Sequence, residues 1–240
     1  MKMEVRLKDI ARIINGGTPS TRIEEYWNGD IPWITPKDLS GYEKVYISCG
    51  ERNITTEGLN NSSAQLLPKN TILFSSRAPI GYVAIAANEV TTNQGFKNLI
   101  CNKEIVDYKY LYYWLKRHAE NIKGAAIGST FAEVSKSEME NLQLTLPPLS
   151  EQKRIANILS SFDNKIEILK KENKILEDIA ENIFKEWFVK YNFPNKDGKP
   201  YKDSGGKMID SELGPIPEGW KVGKLGERDA EDGEEEQAHP

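Results

Sequence analysis

Four short polar clusters in the first 150 residues combine the groups that hold phosphate oxygens or nucleic-acid base edges. Gly16-Gly17-Thr18-Pro19-Ser20-Thr21-Arg22 is a glycine turn followed by hydroxyls and a guanidinium. Exposed backbone N–H groups, hydroxyls and arginine on a tight loop suit phosphate. Ser75-Ser76-Arg77 repeats that chemistry after an apolar run, and Lys37 adds another cation. Thr91-Thr92-Asn93-Gln94-Gly95-Phe96-Lys97 sets two amides beside a lysine; Asn and Gln amides pair bidentately with the adenine edge. Gly128-Ser129-Thr130 is a further hydroxyl loop.

The candidate nucleic-acid contacts are therefore Thr18, Ser20, Thr21, Arg22, Lys37, Ser76, Arg77, Thr92, Asn93, Gln94, Lys97, Ser129 and Thr130. Arg22, Lys37, Arg77 and Lys97 would take phosphate or guanine, whereas Thr92, Asn93, Gln94, Ser129 and Thr130 would meet base edges or support loops. Each cluster also reads as an ordinary turn or as internal hydrogen bonding.

Motifs for other chemistry are missing. The chain has no P-loop, GxGxxG or GxSxG pattern, and neither His118 nor His239 has zinc-ligand spacing. His118 falls on the apolar stripe of a helix, where a packed ring is expected. Cys49 and Cys101 are too few for a disulfide framework and read as packing residues. The expectation is a binding protein, not an enzyme, with no metal and no cofactor of its own.

The elements that must position these clusters differ along the chain. Residues 1–149 mix short apolar runs with Gly, Pro, Asn and Ser punctuation, which implies a mixed α/β (α+β) domain. Ile72-Leu73-Phe74 and Tyr82-Val83-Ala84-Ile85-Ala86 read as strands. One helix is expected after Asp107, with Leu111, Leu115, His118 and Ile122 on its buried face, and another after Ser135, which has capping-box spacing to Glu138. Residues 150–191 read as one long helix, capped by Ser150. Ile155, Phe162, Leu169, Leu176 and Ile183 recur every seven residues, and Ile158, Leu159, Ile166, Ile179 and Trp187 widen the stripe. That is the seam of a helix packed lengthwise against another, about 42 Å long at 1.5 Å per residue. The partner would be a second copy or a different protein; the alternative is a surface helix folded back on its own domain. Lys165 and Glu172 weaken the flank of the seam. Residues 192–226 read as loop.

The 240 residues carry a net charge of −4, unevenly placed. Residues 227–240 hold seven acids against Arg228 and almost nothing apolar, so this tail is expected to be disordered. The rest is near neutral, and any polyanion site must come from local arrangement. No run is apolar enough to span a membrane and the start lacks a signal-peptide pattern, so the expected location is the cytoplasm.

Several segments resemble one family. Gly16-Gly17-Thr18-Pro19-Ser20, Tyr26-Trp27, Gly29-Asp30-Ile31-Pro32-Trp33-Ile34 and Lys37-Asp38-Leu39 resemble the opening of a target-recognition domain in the specificity subunit of type I restriction–modification enzymes. Leu73-Phe74-Ser75-Ser76-Arg77-Ala78-Pro79-Ile80-Gly81 and Thr92-Asn93-Gln94-Gly95-Phe96 resemble its middle. Leu146-Pro147-Pro148-Leu149-Ser150-Glu151-Gln152-Lys153-Arg154-Ile155 resembles the start of its long helix.

The resemblance implies two tandem copies of a recognition domain plus helix in full-length members, with the helices antiparallel and a bipartite DNA target. Methylation and cleavage would belong to modification and restriction subunits, which use S-adenosylmethionine and ATP. This sequence shows one copy, with Leu225-Gly226-Glu227 like the start of a second, and reads as a half-length subunit, whether natural, truncated or frame-shifted. The expected partners are double-stranded DNA, the modification subunit, through it the restriction subunit, and a second copy paired antiparallel about a two-fold axis. A protein that docks through its helix without reading DNA is the alternative. A stand-alone nuclease or methyltransferase is disfavoured by the missing motifs.

Overall fold

Short runs of apolar residues between turn signals become strands buried on both faces. The computed structural model describes residues 3–77, 79–125 and 133–224. The first unit, ending at Glu167, contains strands β1 (Met3–Arg6), β2 (Ala11–Asn15), β3 (Trp27–Ile34), β4 (Tyr46–Ile47), β5 (Arg52–Ile54), β6 (Ile72–Ser75), β7 (Val83–Ala86), β8 (Thr91–Thr92), β9 (Phe96–Cys101) and β10 (Gln143–Leu146). Its helices are α1 (Leu7–Ile10), α2 (Thr56–Asn60), α3 (Tyr108–Ala125), α4 (Lys136–Glu140) and the first part of α5 (Leu149–Phe184).

The main sheet has the order β2-β9-β6-β7-β4, with β4 parallel to β7 and the other neighbours antiparallel. Alternation along β6 decides its two faces. Ile72 and Phe74 join Leu111, Tyr112, Leu115 and Ile122 of α3 in one core, while Leu73 joins Ile14, Ile34, Val90 and Phe96 in another. A smaller sheet, β5-β3-β8, carries Trp27 and Trp33 edge to face at 5.0 Å. β1 pairs with β10 in a separate two-stranded ribbon.

Helix starts follow local capping chemistry. The Asp107 carboxylate accepts from the N–H groups of Lys109 and Tyr110, each at 3.0 Å, where the sequence places the start of α3. Ser135 and Glu138 close the expected capping box before α4. Ser150, by contrast, does not cap α5. The helix begins one residue earlier at Leu149, and the Pro148 carbonyl accepts from Glu151 and Gln152, so Ser150 lies within the first turn. Cys101 is largely enclosed, and burial pushes its thiol up to about 12, with Asp107 adding to the shift. Cys49 is exposed, contrary to its reading as a packing residue.

The second unit begins at Ile168 and includes the rest of α5 and a π-helical turn at Lys185–Val189. The segment after the helix is not simply loop. Strands β11 (Met208–Ile209) and β12 (Ile216–Pro217) form a small antiparallel pair. Phe193 lies between Tyr201 and Trp220, with ring centroids 4.7 and 5.5 Å away, and Trp220 also meets Phe188 and Tyr191. Five aromatics spread over 33 residues gave no periodic signal, yet they supply this unit's packing. The acidic stretch 227–240 lies outside the described residues.

Candidate nucleic-acid interface

Backbone contacts bring the first three polar clusters together. The Gly17 N–H donates to the Thr92 carbonyl at 2.8 Å, and the Gly16 N–H donates to the Phe96 carbonyl at 3.4 Å. A Cβ on Gly16 would lie 1.8 Å from the Asn93 carbonyl oxygen, so glycine is required where these loops cross. The indoles of Trp33 and Trp27 donate to the carbonyls of Gly17 and Ser20, and the Thr18 hydroxyl bonds the Gln94 amide oxygen. From the second cluster, the Ser76 N–H donates to the Gly95 carbonyl at 2.8 Å. Three loops far apart in sequence therefore meet at one edge of the domain.

Beside the Arg77 and Asn93-Gln94 loops lies an open cleft of about 400 Å³, whose lining includes Thr35, Lys37, Arg77, Asn93 and Gln94. The Asp38 carboxylate shapes one wall, accepting from the Thr35 N–H, the Thr35 hydroxyl and the Glu51 N–H, each at 2.7 Å. Lys37, on the same turn, pairs with Glu51 at 2.8 Å, and the hydrogen bond to Glu51 raises its ammonium above the ordinary lysine value. Both side chains are exposed, so this pair contributes little to stability.

The candidates divide by burial. Arg77 and Gln94 are exposed and Asn93 half-buried at the cleft, while Ser20, Thr21 and Arg22 are exposed on the neighbouring loop but do not line it. Ser76, Thr92 and Lys97 are buried and do not line the cleft. The Ser76 hydroxyl donates to the Gly95 carbonyl, and the Thr92 hydroxyl accepts from the Asn98 amide at 2.7 Å. Lys97 bonds Glu133 at 3.2 Å. Each spends its polar group holding a loop. Ser129 and Thr130 lie outside the described residues.

Glu133 belongs to no motif in the sequence, and its role is visible only in the fold. Its carboxylate takes the guanidinium of Arg77 at 2.7 Å and the ammonium of Lys97. Burial raises its affinity for a proton, but hydrogen bonds and charge from these two cations outweigh that and leave Glu133 below the ordinary glutamate value. A carboxyl depressed in the folded state adds stability above its unfolded value, about 4.3, and loses it as pH falls through the folded value. Thermal melts between about pH 3 and 6 should therefore show an acid-side loss of stability that Glu133→Gln diminishes.

Among the described residues, no group of three His, Cys, Asp or Glu side chains is placed to hold a metal ion. His118 stacks on Trp114 at 4.2 Å, and its Nδ1 lies 2.7 Å from the Trp114 carbonyl. No helix among the described residues is long and apolar enough to cross a membrane.

The second candidate surface is α5. Ile158, Leu159, Phe162, Ile166, Leu169, Leu176, Ile179, Ile183 and Trp187 are all exposed, Phe162 by 64% and Leu176 by 61%. Ile155 alone of the proposed seam is half-buried. The helix turns Gln152 and Ala156 inward and leaves the rest of the stripe exposed. Ile168, Ile175, Phe184 and Phe188, which the seven-residue pattern omits, are exposed as well.

Comparison with known proteins agrees with this architecture. Residues 2–203 match the model of the type I restriction modification DNA specificity domain. The chain is 48% identical over 224 residues to the type I restriction enzyme MjaIX specificity subunit of Methanocaldococcus jannaschii, covering 92% of this chain and 50% of that protein. It is 32% identical to the EcoR124I/EcoR124II specificity subunit of Escherichia coli, over 65% of this chain and 40% of that protein. The chain thus spans about half the length of these curated relatives or less. Its fold is shared with the S subunit of a type I restriction–modification system from M. genitalium (TM-score 0.56, 22% identity, 79% of this chain and 46% of that one). It is also shared with the specificity subunit from Thermoanaerobacter tengcongensis (TM-score 0.55, 21% identity, 71% and 39%). With a family match spanning most of its length and the recognition-domain-plus-helix plan described above, the chain belongs to the type I restriction–modification DNA specificity family.

Proposed function

We propose that this chain reads one half of a bipartite DNA target and docks the modification subunit of a type I restriction–modification system. It supplies sequence choice and no chemistry; S-adenosylmethionine and ATP would be used by the partner subunits. The observation that carries this reading is the meeting of segments 35–40, 77–79 and 93–95 at one cleft, with Lys37, Arg77, Asn93 and Gln94 lining it. Cations there would position the duplex through phosphates, and amides and guanidinium would read base edges.

The exposed stripe of α5 supports the second half of the proposal, pairing of two copies with their helices antiparallel. A two-fold axis would send the recognition domains to opposite ends of the pair. A stripe of about 42 Å compares with about 34–36 Å per turn of DNA, which implies inverted identical half-sites separated by a spacer of several base pairs.

A second reading has its own support. Lys37 and Arg77 each already bond a carboxylate, Glu51 and Glu133, so a DNA contact by either would have to share or displace an existing partner. A protein that docks through α5 and competes for the modification subunit without reading DNA would need no more. A mobility shift on random-sequence duplexes, with and without a modification subunit, separates the two. DNA reading predicts a shift by the chain that Arg77→Ala weakens. The docking reading predicts no shift by the chain itself and no effect of Arg77.

A further inference from the structure

The Arg77–Glu133–Lys97 cluster is more specific than a surface ion pair. Arg77 spends one edge of its guanidinium on a single oxygen, with Nε at 3.1 Å and Nη2 at 2.7 Å from Glu133 Oε2. The other oxygen, Oε1, takes the ammonium of Lys97 at 3.2 Å. The Lys97 side chain is 6% exposed and that of Arg77 is 54% exposed. One cation is thus sealed behind the carboxylate and the other stands in front of it. The backbone fixes the arrangement, because Arg77 and Glu133 form an isolated antiparallel bridge and the Val134 N–H donates to the Ser76 carbonyl at 2.8 Å.

Two consequences follow. Lys97 balances Glu133, so the guanidinium keeps an uncancelled positive charge on the cleft side. Nη1 makes no hydrogen bond among the described residues, which leaves the terminal edge of the guanidinium available beside Asn93 and Gln94. An arginine held in one plane has already lost the side-chain freedom that binding would otherwise cost it.

We infer that Glu133 is a positioning residue for base reading: it fixes one edge of Arg77 so that the other edge meets the paired acceptors of a guanine in the cleft. This rests on the DNA-reading proposal above and deepens it. A phosphate contact asks only for a nearby charge and tolerates a mobile side chain. A fork with a fixed plane matches two in-plane acceptors at set spacing, which guanine O6 and N7 supply in the major groove. The flanking amides are base-edge groups as well.

The test is binding-site selection from a duplex library with a randomised core, using the full chain together with a co-expressed modification subunit. Wild type, Glu133→Asp, Glu133→Gln and Arg77→Lys are compared. Glu133→Asp retains a carboxylate for the buried Lys97, so it guards against the chance that Glu133→Gln fails to fold. The expected result is that Glu133→Asp and Arg77→Lys each lose about tenfold of the preference for guanine at one position, while preferences at the other positions persist. Replacing that guanine by 7-deazaguanine in the selected duplex should weaken wild type about tenfold and Arg77→Lys hardly at all. An unchanged motif in Glu133→Asp overturns the inference. So does wild-type binding that ignores 7-deazaguanine and responds only to methylphosphonate at a neighbouring phosphate. Selection of no motif by wild type overturns the DNA-reading proposal itself.

Discussion

Leu169→Glu combined with Leu176→Glu is expected to turn a paired chain into a monomer at micromolar concentration while leaving its recognition domain folded. Both side chains are exposed on α5, by 42% and 61%, so no intrachain core is lost. In a two-fold pair each substitution occurs twice, removing four leucines from the seam. At about 1.5–3 kcal/mol for each buried leucine the loss is about 6–12 kcal/mol, which rivals the whole free energy of a nanomolar dimer, about 12 kcal/mol. Sedimentation equilibrium of both proteins, with thermal melts as the folding control, checks this. A wild-type chain that stays monomeric alone but binds a modification subunit would assign the stripe to that partner instead.

In the proposed pair, the charges at the seam also favour one orientation. The run from Ile155 to Ile183 is centred on Leu169. An antiparallel pair built on that centre brings Lys165 of one copy within a residue of Glu172 of the other. A parallel pair would set Lys165 against Lys165 and Glu172 against Glu172, like charges at a partly desolvated seam. The two residues that interrupt the pattern therefore favour the antiparallel arrangement, in which the recognition domains would lie at opposite ends.

What the sequence revealed follows from the range of each interaction. The starts of α3 and α4 were legible because Asp107, Ser135 and Glu138 bond groups within three residues of themselves. The exposed stripe of α5 was legible because a seven-residue repeat needs nothing but the helix itself. Burial at the cleft was not. Ser76, Thr92 and Lys97 have the same residue types as exposed ligand groups, and their burial depends on contacts with other segments, such as Ser76 with Gly95 and Val134 and Lys97 with Glu133. Glu133 escaped notice for the same reason: its partners Arg77 and Lys97 lie 56 and 36 residues away. The packing of residues 192–224 depends on aromatic contacts with no period, so turn residues dominated the reading and suggested loop.

Gln152 is a further residue whose role only the structure explains, and Gln152→Leu should be among the most destabilising substitutions of an exposed-looking motif. The side chain is 1% exposed in the first turn of α5. It accepts from the Asp107 N–H at 3.0 Å and donates to the carbonyls of Ile105 at 3.1 Å and Pro147 at 2.9 Å. Leucine would fill the space but strand one backbone N–H and two carbonyls, each buried polar group costing about 1–3 kcal/mol when left unpaired. A total of about 3 kcal/mol is a large fraction of the 5–15 kcal/mol that holds a domain, and corresponds to a drop of about 6–12 °C in Tm.

The consequence for function comes from a second tether, the Tyr113 hydroxyl donating to Asp163 at 2.6 Å, three turns further along the helix. Burial and the bond to Asp163 together hold this phenol well above the ordinary tyrosine range, so it stays a donor at any physiological pH. Two fastened points hold the first turns of α5 against their own unit, and in the proposed pair the hold on that helix would govern the distance between half-sites. Gln152→Leu with Tyr113→Phe should therefore broaden the tolerated spacer by a base pair or more, even at temperatures where the domain remains folded. Binding to duplexes whose half-sites are moved apart one base pair at a time measures it. An unaltered spacer preference in the folded double variant would mean that the helix direction is fixed elsewhere, by the seam itself.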